Sequence, residues 1–378
     1  MDIDFLLKKL EDYKSRVISD AILFNQIPTP SYHEELRSEF IVNRLREFGI
    51  SKIDVDQAGN VIVKFPGDIA REEAVLLFTH LDNYNYSPEQ RIVTVDTKRA
   101  YGMGIGDNSL GVSSLLVLAE FFNKYSVSFK HNVILLFTAG SRPEKDFPGI
   151  KFFLQNLDFK ITYAIEINGV SVNKIGHKAV GKYQYQVTLK TKGGNAWKNS
   201  DQSSAIEYLS RLNARLHYIG WPPYPKTRIN VFRLYGRSEP NTLISEAIMD
   251  LEIMSEDDEF LEFAKKIFFG TINKSFDSLH ADINIRQISF IPPGEIPKYH
   301  FLVKTALDIH EKLGIKSELD LIKDESSILL SYGIPVISLG ITTGERSLLD
   351  TEYVDLEPIN NGLKQIFMVI AETMKHLD

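Results

Sequence analysis

Val75-Leu76-Leu77-Phe78-Thr79-His80-Leu81-Asp82 is an unbroken apolar run that ends in a histidine and an aspartate. A short continuous run of this kind fits a strand buried on both faces, as in a parallel sheet covered by helices. Ligands gather beyond the carboxyl ends of such strands. Side chains at i and i+2 of an extended segment share a face, so His80 can hold a metal while Asp82 steadies its imidazole. A lone His-x-Asp suits a locally bonded capping histidine just as well. Two further stretches bear on the choice. The turn Gly102-Met103-Gly104-Ile105-Gly106 delivers Asp107, and a second apolar run, Val133 to Thr138, leads into Ala139-Gly140-Ser141-Arg142-Pro143-Glu144. Glu166, at the end of an expected strand from Ile161 to Ile167, is the third carboxylate candidate.

Outward from these runs, helical patterns cover Phe5 to Phe24, His33 to Phe48, Leu110 to Tyr125 and Ile150 to Asn156. Asp56-Gln57-Ala58-Gly59-Asn60 reads as a hairpin turn between two short strands. Strands alternating with helices imply an α/β fold with a largely parallel sheet sandwiched by helices. After Gly176 the pattern changes. Tyr183 to Leu189 alternates as a strand with one wet face should, and the order β-α-β-β-α-β follows to Phe290, a ferredoxin-like α+β module. From Pro297 the α/β pattern resumes. The reading is therefore an α/β domain of residues 1–176 and 292–378, interrupted by an inserted domain of residues 177–291.

The 378 residues suffice for two cores. A net charge of −7 argues against a nucleic-acid surface, which needs clustered Lys and Arg. There is no cysteine, so a metal must be held by His, Asp and Glu. Met1-Asp2-Ile3-Asp4 lacks the basic start of a signal peptide. No uncharged stretch approaches the roughly 20 residues that span a bilayer. A cytoplasmic location without membrane partners is the expectation.

Several motifs together resemble the superfamily of two-zinc exopeptidases and deacylases that includes aminoacylase, peptidase T, carboxypeptidase G and acetylornithine deacetylase. They are Ile27-Pro28-Thr29-Pro30-Ser31, the hairpin Asp56 to Asn60, Phe78-Thr79-His80-Leu81-Asp82, Gly104-Ile105-Gly106-Asp107-Asn108, Glu239-Pro240-Asn241-Thr242, Gly333-Ile334-Pro335 and Glu352-Tyr353-Val354. The resemblance implies that His80, Asp107 and Glu166 bind one zinc, that Asp107 bridges towards a second, and that Asp82 orients His80. It implies a role for Asn241 at the substrate, a peptide or N-acyl amino acid, and a homodimer formed through the inserted domain. Two divalent ions roughly 3.5–4 Å apart would polarise a carbonyl and generate hydroxide.

Four positions depart from that pattern. The Glu-Glu pair implied after Phe137-Thr138 is replaced by Ser141 and Arg142, or, counted back from Gly149, by Pro143 and Glu144. Leu348 stands where the second metal's histidine belongs, Trp197 replaces the inserted domain's histidine, and Met254 replaces its substrate-clasping arginine. An indole is no acid or base and offers a single N–H. The expectation is a metallopeptidase-lineage protein with an incomplete two-metal site, holding at most one zinc or none, impaired in catalysis and acting by binding. The competing expectation is an active one-metal exopeptidase or deacylase with Glu144 as its base.

Overall fold

The computed structural model describes residues 2–28, 33–68, 73–83, 91–142, 146–199, 201–276, 282–322, 324–345 and 352–376. The chain divides into two compact units. The first comprises residues up to Arg142, Phe147–Lys178 and Glu295 onward; the second is built on Ala179–Gly294.

In the first unit the sheet contains β1 (Ile53–Val55), β2 (Val61–Phe65), β3 (Glu73–His80), β4 (Asn132–Thr138), β5 (Lys160–Val170) and β6 (Lys174–Ala179). In the second unit β7 (Gly181–Lys190), β8 (Thr227–Tyr235), β9 (Glu246–Ser255) and β10 (Asp282–Ile291) follow. The chain then returns to the first unit with β11 (Glu318–Leu321) and β12 (Val336–Thr342). The large sheet runs β1-β2-β4-β3-β5-β12-β6, with β11 beside β6. Its centre, β4-β3-β5-β12, is parallel throughout. Every residue of β4 and β12 is buried, which is why these strands are continuously apolar instead of alternating. Helix Leu110–Lys124 is apolar all round and packs into the same core. The stretch Ile105–Lys124 has the length and composition to cross a membrane, and 89% of its apolar window is buried inside the fold.

In the second unit the four strands form an antiparallel sheet in the order β8-β9-β7-β10. With helices Ala205–His217 and Asp258–Phe276 this is the ferredoxin-like β-α-β-β-α-β arrangement. The alternation along β7 turns Tyr185, Val187 and Leu189 onto a core shared with Leu209, Leu212 and Phe268. Ser204 and Glu207 close a capping box on the first of these helices, fixing where it begins.

The structure departs from the sequence expectations in four places. The amino-terminal helix is broken into Ile3–Leu10 and Lys14–Gln26 by a 3-10 turn at Glu11–Tyr13. β5 does not stop at Ile167. Pairing of Asn168 with Gly340 and of Val170 with Thr342 carries it three residues further, so Glu166 lies within the strand and not at its end. Strands β6 and β11 were not anticipated, and β6 straddles the expected break at Gly176. Its pairing with β12 and β11 keeps the chain in the first unit through Lys178.

Candidate active site

β3 ends on His80, and the next residues stay fixed by a residue the sequence reading did not single out. Arg37, 2% exposed, donates from Nη1 to the Leu81 carbonyl at 2.5 Å, with its guanidinium carbon 4.5 Å from the centre of the Phe24 ring. Burial drags the Arg37 pKa down to about 9, while the charge of Asp82 pulls it back up. Held between β3 and this clamp, His80 points both ring nitrogens at acids. Its Nδ1 lies 3.0 Å from the Asp82 carbonyl and 3.4 Å from Asp82 Oδ1, and its Nε2 lies 3.4 Å from Asp107 Oδ1.

Asp107 arrives on the glycine turn. Gly104 has φ +84°, and a Cβ there would sit 1.9 Å from Asn83 Nδ2, so only glycine passes this point. Asn25 and Asn83 donate to the carbonyls of Met103 and Gly104. The Glu352 carboxylate takes the turn's N–H groups: Gly104 N at 2.8 Å, Gly106 N at 2.8 Å and Asp107 N at 3.2 Å.

The third strand end is built differently. Past Thr138, Arg142 Nε lies 2.8 Å from Asp82 Oδ2 in an ion pair whose aspartate is almost wholly buried. Ser141 Oγ donates to Glu325 Oε1 at 2.7 Å, and Thr138 Oγ1 to Glu325 Oε2 at 3.1 Å. Glu325 lies at the start of helix Asp324–Ser331, and the next residue, Ser326, donates to Glu166 Oε2 at 2.8 Å. The other Glu166 oxygen, Oε1, is buried with no hydrogen-bond partner among the described residues. A third carboxyl, Glu325, therefore joins His80, Asp82 and Glu166, and the sequence reading missed it.

Charge in this cluster is unbalanced towards acid. Burial pushes the Glu325 pKa up to about 7; His80 and the Ser141 hydroxyl oppose the shift, and Asp82 and Glu166 add to it. Burial also raises Asp82, but His80 and Arg142 outweigh it and hold that carboxyl below its ordinary value. Glu352 rises to about 7 through burial, against the three N–H groups aimed at it.

These donors can be tested against the metal centre that the fold implies. His80 Nε2 and Asp107 Oδ1 stand close enough to share one ion, and the orphaned Glu166 Oε1 is the kind of buried oxygen a cation would satisfy. Yet among the described residues no three His, Asp or Glu side chains converge into a metal-holding group. Beside these donors, Ser141 is bonded to Glu325 and Arg142 is paired with Asp82. A fixed guanidinium repels a divalent cation at short range.

Glu144 and Leu348 lie outside the described residues. Trp197 and Asn241 belong to the second unit, where Ala196, the residue before Trp197, donates its N–H to the Asn241 carbonyl at 3.0 Å. The Trp197 side chain is left 85% exposed, and its backbone N–H is capped by Asn195 Oδ1. Met254 pairs across the strands with Arg228, so an arginine does stand beside the position where one was missed.

Peptidase family M28 matches residues 60–171, the stretch that carries His80, Asp82, Asp107, Arg142 and Glu166. The cytosol non-specific dipeptidase of Escherichia coli (strain K12) is 34% identical over 109 residues, 25% of this chain; the match spans only 22% of that protein's length. A tripeptidase from Staphylococcus aureus has a similar fold, with a TM-score of 0.78 at 17% identity over 96% of this chain and 99% of that one. A dinuclear metal-binding peptidase from Bacillus subtilis is similar with a TM-score of 0.69 at 14% identity, over 97% and 99% of the two chains. The chain thus has the fold of these peptidases, and its first α/β segment matches a peptidase family.

Proposed function

We propose that this chain is a dipeptidase-like protein with an incomplete two-metal site, which binds small peptides or N-acyl amino acids and is impaired or inactive in hydrolysing them. The observation that carries the reading is the Arg142–Asp82 ion pair. On this reading the permanent positive charge of Arg142 opposes a second cation near Asp82. The peptide class rests on the E. coli and S. aureus relatives, which are a dipeptidase and a tripeptidase. One zinc at most goes with this reading, held by His80, Asp107 and Glu166 and supplying electrophilic pull on a ligand carbonyl. Around it, His80 is oriented by Asp82, and Glu325 adds a further acid. A cytoplasmic location and a homodimer through the second unit belong to the same proposal. Edge strand β8, with Phe232 55% exposed, supports the dimer.

The test is a calorimetric titration with dipeptides, tripeptides and N-acyl amino acids beside an assay for released amine, both with zinc supplied. Saturable binding without turnover is the expected outcome. Turnover at ordinary enzyme rates, on the order of 10 per second, would overturn the proposal. The one-metal exopeptidase or deacylase with Glu144 as base draws its support from the 3.4 Å between His80 Nε2 and Asp107 Oδ1. Under that reading turnover is present, and Glu144→Gln abolishes it.

A further inference from the structure

The turn that carries Asp107 has no regular secondary structure to hold it. Asp107 and Asn108 have non-helical backbone angles, although a helix begins two residues later. Side-chain amides grip the turn's carbonyls, but three of its N–H groups converge on one carboxylate. Gly104, Gly106 and Asp107 all point at the two oxygens of Glu352, and the Gly102 N–H donates to the Glu352 carbonyl at 3.1 Å. Consecutive N–H groups curled into a concavity of this kind bind anions. Here the anion is supplied by the chain itself, from a residue 245 positions away in sequence from Asp107. Gly106 is part of the fit, since a Cβ there would come within 3.3 Å of Glu352 Oε1. Directly after Glu352, Tyr353–Asp355 pairs with Arg99–Tyr101, so the acid is anchored on a strand and cannot swing away.

We infer that Glu352 is a positioning residue: its carboxylate fills the amide cup of the Gly104–Asp107 turn and so sets the distance between Asp107 and His80. This inference rests on the proposed site for its functional meaning, though not for its geometry. The hydrogen bonds of the Glu352 carboxylate run to the turn's N–H groups. Its effect passes through the Asp107 backbone N–H. A second route, bracing the fold as a whole, predicts different behaviour. A brace is lost when the side chain is lost and is not restored by a small ion. An anion cup is restored when formate or acetate diffuses into it.

The experiment uses the full chain without ligand and follows the ring nitrogen resonances of His80 by NMR, with Asp107→Ala as the reference for a histidine that has lost its acid. Glu352→Ala should shift the His80 Nε2 resonance towards the Asp107→Ala position, and added formate should return it towards wild type. Chloride at matched ionic strength should not. Glu352→Gln, which keeps the shape but offers one acceptor oxygen for three donors, should fall between. If Glu352→Ala fails to fold, the Gln variant alone decides, because it also must displace the resonance. An unmoved His80 resonance in a folded variant would sink the inference, as would a shift that formate leaves untouched. Neither result depends on whether the wild-type protein binds peptides, so failure here and failure of the proposed function are separable.

Discussion

Glu352 and Glu325 are both buried, both raised to about 7, and both beside candidate ligand residues, yet their partners differ in kind. Glu352 is met by three backbone N–H groups, which only donate. Glu325 is met by two hydroxyls, which donate or accept by rotating, and it feels Asp82 and Glu166 as like charges. The amide cup favours one charge state and one geometry. The hydroxyl cradle suits either state of the acid. One side of the site is thus built to hold the Asp107 turn still, and the other to accommodate its acid with or without a proton. Arg142 belongs to this second side, and it should prove the more consequential for stability.

Removing it is the largest expected effect. Arg142→Ala leaves Asp82 almost wholly buried beside other acids, with His80 and the more distant charge of Arg37 to balance it. Breaking a buried pair by deleting one partner costs about 3–5 kcal/mol, and the partly exposed Arg142 side chain puts the expectation near the lower end, about 3 kcal/mol. Chemical denaturation reads this directly. Adding Asp82→Asn to the same chain should return much of the loss, because the stranded charge is gone. A single-variant loss below about 1 kcal/mol, the range of an exposed pair, would mean that Arg142 does not neutralise the cleft.

Next in size is a pH dependence. For both Glu325 and Glu352 the folded-state pKa lies above the ordinary value of 4.5. Between 4.5 and about 7 the folded chain therefore holds more protons than the unfolded one. Their contribution is fully present below 4.5 and is lost as pH rises through about 7. Each group accounts for at most about 3.5 kcal/mol, since one pKa unit corresponds to about 1.4 kcal/mol. Asp82 works the opposite way: its lowered pKa makes it stabilising above its ordinary value and a liability in acid. Glu325→Gln should flatten the fall by about half and leave the part due to Glu352. Denaturation midpoints followed across this window would contradict the assignment if the wild-type and variant slopes coincide.

The sequence made the fold legible because the fold is written in local signals. Buried parallel strands appear as apolar runs such as Val133 to Phe137, and the one-wet-face sheet appears as the alternation in Tyr183 to Leu189. β6 and β11 escaped because Lys174–Ala179 and Glu318–Leu321 carry charge and owe their pairing to neighbours remote in sequence. The site was half legible for the same reason. His80, Asp82 and Asp107 follow recognisable strand ends and a glycine turn. Glu325 sits in Asp324-Glu325-Ser326-Ser327, which reads as an ordinary acidic first turn of a helix. Nothing local announces that its partner Thr138 lies 187 residues away. Arg142 was visible as a position, but its pairing with Asp82 is a fact of three dimensions.

The smallest effect separates the two sides most finely. Ser141→Ala removes one of the two hydroxyl donors to Glu325 and leaves Thr138 in place. A lost hydrogen bond costs about 0.5–1.5 kcal/mol, and about 1.5–3 kcal/mol when the acceptor is charged. Below about pH 7 Glu325 is mainly the neutral acid, and its own proton can satisfy one of the groups left behind, so the loss should sit near 0.5 kcal/mol. Above about pH 7 it is a carboxylate short of a donor, and the loss should grow to about 2 kcal/mol. The same substitution should leave the His80 resonance near its wild-type position, because Ser141 touches neither Asp107 nor its turn. A pH-independent loss would show that Glu325 keeps one protonation state throughout. Its hydroxyl cradle would then hold a single charge state, just like the amide cup on the other side.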